Sequence, residues 1–188
     1  GRAEAIAAGT KDKSPIVRVG AIVAARLATR PADCTPILGL VDDRNLLVAL
    51  TAIDSLTSPC ADRAAVVPVL LHALTTPIAT TTPDHRWHKA AHALMTLARV
   101  DSATARLHLD RFVTSTIWGE RLAATVAAAT MRDVALLRRL AGDRDHNVQE
   151  TAITGLARIT GHADDSLFIS ALASPGYQVV LAAAPALN

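Results

Sequence analysis

Aromatic side chains are scarce, at 3% of 188 residues, and large rings are what sandwich and barrel cores commonly use to fill volume. Two cysteines are too few for a disulfide-dense scaffold. Apolar runs such as 64–71 and 179–184 fall well short of the ~18 residues that span a bilayer. Charge of one sign is lacking as well: 19 basic residues face 17 acidic ones, which argues against a strongly basic nucleic-acid arm. What is abundant is small aliphatic surface. Hydrophobic residues make up 51% of the chain, chiefly Ala, Leu, Val and Ile, enough to offset the entropy of ordering and so to exclude disorder. Small aliphatics with few rings suit closely packed helices, and the expectation is an all-α protein.

Only Lys11, Lys13 and Lys89 are lysines; the remaining basic residues are arginines, the bias of a GC-rich coding sequence, which points to a bacterial source. The chain opens Gly1-Arg2, without Met and inside a helical pattern, so it is expected to be part of a longer protein. Its compartment is therefore left unassigned.

Six segments resemble one another: SPIVRVGAIVAA from Ser14, NLLVALTAIDSL from Asn45, DHRWHKAAHALM from Asp84, STIWGERLAATV from Ser115, DHNVQETAITGL from Asp145 and GYQVVLAAAPAL from Gly176. Taking Val17, Val48, Trp87, Trp118, Val148 and Val179 as first core residues gives separations of 31, 39, 31, 30 and 31. Small or aliphatic residues return four and eight positions later, as at Ala21 and Ala25 or Ala152 and Leu156, which is one face of an α-helix. Ser14, Asp43 or Asn45, Asp84, Ser115, Asp145 and Ser174 supply start signals, with Pro15 and Pro175 at first helical positions. Shorter apolar-periodic segments lie between. The unit is a short helix, a turn and a long helix, and such a hairpin must stack on neighbours to bury its apolar face. The expected fold is a right-handed α-solenoid of about six antiparallel helix pairs, with repeats near 3–30, 33–58, 62–100, 102–130, 132–161 and 164–188. The longer third repeat holds the run TTPIATTTP, read as an extended surface turn.

Val17-Arg18 with Ala21, and Asp145 with Val148, Ala152, Gly155 and Leu156, follow the pattern of HEAT repeats, and the whole chain resembles the short bacterial type found in phycobilin lyases and scaffold proteins. The family carries an Arg after the first core residue. Here the other five positions hold Ala49, His88, Gly119, Gln149 and Val180, which leaves an Asp-to-Arg ladder unsupported beyond Arg18.

Site chemistry is thin. His88 and His92, four apart and near His85, share a helical face, but two ligands fall short of a metal site, no HExxH is present, and solvated or hydrogen-bonded histidines are expected. Trp87 and Trp118 recur at the core mark and are expected inside the array. Cys34 and Cys60 are expected as free thiols, a disulfide being the alternative. The second positions after the marks, Val19, Leu50, Lys89, Glu120, Glu150 and Leu181, form no basic stripe, which argues against nucleic acid as a partner. No phosphate loop, nucleophile elbow or catalytic set stands out, so no cofactor is expected.

The sequence therefore points to a non-catalytic scaffold binding another protein or another domain of its parent chain, with Arg18, His88, Lys89, Glu120, Gln149 and Glu150 as candidate contact residues. The alternative from a second class is the repeat region of a larger bacterial enzyme, such as one fused to a cyclophilin-type peptidyl-prolyl isomerase domain or a lyase-type HEAT protein. Nucleic-acid binding is the weakest of the three readings.

Overall fold

The computed structural model describes residues 1–28, 34–57, 62–75 and 86–188; most of the Thr/Pro-rich run, together with His85, Asp84 and Cys60, lies outside them. The chain divides into two compact units, Gly1–Ala105 and Arg106–Asn188. Among the described residues all regular structure is helical, as expected of an α-solenoid built from antiparallel helix pairs.

The first unit contains α1 (Arg2–Gly9), α2 (Pro15–Ala28), α3 (Thr35–Leu38) running into a 3-10 turn at Gly39–Asp42, α4 (Leu46–Ser55), α5 (Arg63–Thr75) and α6 (Arg86–Val100). The short helix α7 (Ser102–Arg106) stands at the division. The second unit contains α8 (Leu109–Val113), α9 (Trp118–Thr130), α10 (Val134–Leu140), α11 (His146–Thr160), a 3-10 turn at Gly161–Asp164, α12 (Asp165–Ala171) and α13 (Tyr177–Ala186). Long helices pack on long helices, α2 on α4 on α6 in one unit and α9 on α11 on α13 in the other, with the short helices alongside.

The core follows from the periodicity. Ile22, Ile37, Ile53, Leu70, Leu94 and Leu97 are fully buried in the first unit, and Phe112, Leu137, Ile153, Leu156 and Phe168 in the second. Ala and Gly set how near the helices come. A Cβ added at Gly155 would meet the Ala129 Cβ at 3.1 Å and the Leu137 methyls at 3.4 Å, so α11 lies on α9 and α10 through a position that leaves little room for a side chain.

Helix starts obey capping chemistry, with one shift. Asn45 and Asp145 cap α4 and α11 as expected, their side chains accepting N–H groups of the first turn. Ser115 and Ser174 instead sit two residues earlier. Their hydroxyls accept the N–H groups of Ile117 (3.0 Å) and Gly176 (3.2 Å), which are the capping residues of α9 and α13. Pro175 accordingly stands before the cap rather than inside the helix. α9 ends in a Schellman turn: Asp133 N–H donates to Ala128 O, Arg132 N–H to Ala129 O, and Arg132 takes a φ of 56°.

Candidate interaction surface

The fourth residue of each long helix marks a common position: Arg18, Ala49, Lys89, Arg121, Gln149 and Val180. Arg18 Nε and Nη2 donate to Asp43 Oδ2 (2.7 Å) and Oδ1 (2.8 Å), while Nη1 reaches Asp12 O at 2.7 Å and Lys13 O at 3.1 Å. Arg121 repeats the arrangement. Its Nε and Nη2 donate to Asp143 Oδ2 and Oδ1, both at 2.8 Å, and Nη1 to Ser115 O and Thr116 O. In each case the aspartate stands in the turn of the next repeat, and its Oδ1 also accepts the N–H of the residue two further on, Asn45 or Asp145, at 2.8 Å. Each clasp thus joins one long helix to the start of the next, through charge-assisted bidentate bonds.

Both pairs are buried, with side chains 7% and 9% exposed at Arg18 and Asp43 and 6% and 9% at Arg121 and Asp143. Burial by itself would raise the two carboxyls. The hydrogen bonds from Arg18 and Asn45, and from Arg121 and Asp145, outweigh it and hold Asp43 and Asp143 below the ordinary carboxylate range. The bonds they donate to these carboxylates push the Arg18 and Arg121 guanidiniums further up, against desolvation.

A second series runs through the other set of helices. Arg63 lies 3.2 Å from Asp101, which caps α7; Arg106 lies 2.9 Å from Asp133, which caps α10; and Arg138 lies 2.7 Å from Asp164, which precedes α12. The Arg138 hydrogen bond, ahead of opposing desolvation, lowers the Asp164 carboxyl, and Thr104 bonds lower that of Asp101.

The structure sets the two tryptophans off the expected register, so that Lys89 and Arg121, not His88 and Gly119, stand at the position of Arg18. Trp87 and Trp118 are the second and first residues of their helices, ahead of the inward positions. Trp118 is 44% exposed and Trp87 half-buried, stacked on His88 with ring centroids 3.8 Å apart, so neither is a core anchor. A usable signal was present in sequence: Asp12, Asp43, Ser115, Asp143 and Ser174 each stand six residues ahead of the common position and accept the N–H two residues on.

The candidate contact residues fall into two sets. Arg18 lies inside its clasp, Lys89 is 3% exposed with its ammonium on the Asp42 carboxylate, and Gln149 donates to Asp143 O. His88, Glu120 and Glu150 are half-buried. His92 Nδ1 is 2.8 Å from Asp54 Oδ1, and among the described residues no three potential ligands gather for a metal. Cys34, at the start of α3, is buried and disulfide-bonded rather than a free thiol.

In the second unit a groove of about 320 Å³ runs between α11 and α13. Glu150, Thr154 and Arg158 form one wall, spaced so that they share a face of α11, and Leu181 and Pro185 form the other. Leu181 is 55% exposed, and among the described residues neither Glu150 nor Arg158 takes part in an ion pair. A second cavity, about 490 Å³, opens where Gln149 and Ser174 replace the arginine and aspartate of a clasp. Among the described residues no helix is long and apolar enough to cross a membrane.

No protein-family model and no curated protein matches the chain. Among solved structures it is similar to YibA of Escherichia coli, with a TM-score of 0.66 at 13% identity over 98% of this chain and 69% of that one. An engineered protein matches with a TM-score of 0.54 at 19% identity, over 100% of this chain and 95% of its own. Another engineered protein gives 0.52 at 20%, over 98% and 56%. These likenesses establish a helical-repeat fold.

Proposed function

We propose that the chain is a non-catalytic interaction module of HEAT-type repeats, whose long helices present their outer faces to another protein or to another domain of the same polypeptide. The HEAT reading is supported by Arg18 and Arg121 recurring at one register position with an aspartate in the following turn. The observation that carries the binding reading is the α11–α13 groove. It sets two opposite charges that form no ion pair among the described residues, Glu150 and Arg158, against an exposed apolar wall of Leu181 and Pro185, the mixture of anchor and polar rim that protein interfaces use.

The test is affinity capture and cross-linking with the wild-type chain beside Glu150→Arg and Leu181→Asp variants, each first shown to keep its helical signal and Tm. A partner retained by the wild type and lost from both variants supports the proposal. Equal capture by all three, or turnover of a substrate by a chain that captures nothing, defeats it.

A further inference from the structure

We infer that the partner seated in the α11–α13 groove is an amphipathic helix with an acidic residue at a position i, apolar residues at i+4 and i+7, and a basic residue at i+8. A helix so specified presupposes the groove reading above and adds to it a partner class and a direction. Glu150, Thr154 and Arg158 stand four residues apart along α11, so the two charges are about 12 Å from one another. α13 cannot answer them, because Tyr177–Ala186 contains no charged residue. Leu181 and Pro185 hold on α13 the register positions that Glu150 and Thr154 hold on α11, which puts apolar surface beside the carboxylate end of the row and beside its middle. This face stays open where a following repeat is present: at the same register on α9, Leu122 and Val126 are only half-buried although α11 packs against that helix.

A helix suits this row better than an extended strand. The walls of the groove are the sides of helices whose backbone groups are bonded within α11 and α13, so an extended peptide would lay unpaired amides against Leu181 and Pro185. A helix arrives with its backbone satisfied, and its residues i, i+4, i+7 and i+8 share one face about 12 Å long. The acid at i then meets Arg158, the apolar residues at i+4 and i+7 cover Pro185 and Leu181, and the base at i+8 meets Glu150. This order sets the acid toward the partner's N-terminus and the base toward its C-terminus, as its own dipole favours, and runs the partner antiparallel to α11. Reversing the charges on the same frame would match them only with the partner turned parallel, which carries i+7 beyond Pro185 and leaves Leu181 uncovered.

The probe is a displayed library of Ala-rich helical peptides with Leu fixed at i+4 and i+7, and with i and i+8 each drawn from Asp, Glu, Lys, Arg, Gln and Ala, sorted on the full chain. On the wild type, acid at i with base at i+8 is the pair expected to be enriched. On the charge-exchanged variant Glu150→Arg, Arg158→Glu the order should invert, and Leu181→Asp should remove binding of both pools. For the best peptide, Glu150→Gln in the chain and glutamine in place of the peptide's base should each weaken binding about three-fold, and both together no further, since they remove one contact. That arm decides the matter where the exchanged variant fails to keep the helical signal and Tm of the wild type. An absent charge preference, the same preference on both chains, or no peptide retained by the wild type overturns the inference. The interaction module is judged separately, by the capture experiment: a partner lost from both Glu150→Arg and Leu181→Asp whose contact segment lacks this pattern overturns the helix inference and leaves the module standing.

Discussion

Arg121 and Asp143 are 22 residues apart in sequence and meet through two parallel N–H···O bonds of 2.8 Å, the same fork-to-carboxylate geometry that Arg18 makes with Asp43. The aspartate is itself oriented by the N–H of Asp145, so one carboxylate secures the start of α11 and ties it to α9. A buried pair of this kind is strongly destabilising when one partner is removed, because the other is left charged and unpaired.

Arg121→Ala is accordingly expected to destabilise the chain by about 3 kcal/mol, a fall in Tm of roughly 6–12 °C for a protein of this size. Arg121→Lys should recover little of it, since a single ammonium cannot reproduce the bidentate bonds. Urea unfolding of Arg121→Ala, Asp143→Ala and the double variant checks this. A double variant as unstable as the sum of the singles would show that the pair is not coupled.

Stability should fall in acid. Asp43 and Asp143 are held below the ordinary carboxyl value of about 3.9, so their contribution is present in full above that value, declines as pH drops through it, and is gone below the depressed native value. Unfolding free energy measured from pH 7 down to pH 2 should be flat at first and then drop below about pH 4. The Asp43→Asn, Asp143→Asn double variant should be less stable at neutral pH and show a shallower acid drop.

Arg132 holds a φ of 56° at the end of α9, a conformation that side chains with a Cβ rarely adopt and that glycine takes without strain. No hydrogen bond or ion pair of its side chain offsets this among the described residues. Arg132→Gly is expected to be stabilising by up to about 1 kcal/mol, the αL strain exceeding the added freedom of the unfolded chain. Differential scanning calorimetry decides it, and a lower Tm would contradict the expectation.

Gly155→Leu should be among the most disruptive single changes, because even a Cβ at that position crowds Ala129 and Leu137. Overpacking of this kind is destabilising by about 1–3 kcal/mol or more. Gly20→Ala, where a Cβ meets open space, should be neutral or slightly stabilising in the same thermal melt.

Cys34 should resist alkylation in the native protein until a reductant is added, and mass spectrometry of the alkylated chain reads this directly. Labelling under non-reducing conditions would show the thiol to be free.

Amino-acid order alone determined the helices, their grouping into hairpins and most of the buried aliphatic set. Those features rest on local periodicity and caps: the spacing of Ala21 and Ala25, or the return of Ala152 and Leu156 after Val148, and the capping of α4 and α11 by Asn45 and Asp145, although Val17, expected as a first core residue, is exposed. Register was harder to read at Trp87 and Trp118, because a large apolar ring satisfies a periodic pattern whether it points inward or lies along the first turn of a helix. Only the tertiary structure decided that Arg121, not the residue after Trp118, belongs with Arg18, and that Arg63, Arg106 and Arg138 form a second series with aspartates 26 to 38 residues away. The six-residue spacing from Asp43, Ser115 or Asp143 to the common position marks the register locally, but which arginine meets which aspartate depends on where two separate turns come to lie in space. The α11–α13 groove likewise exists only once two helices are side by side, with Glu150 and Arg158 on one and Leu181 on the other.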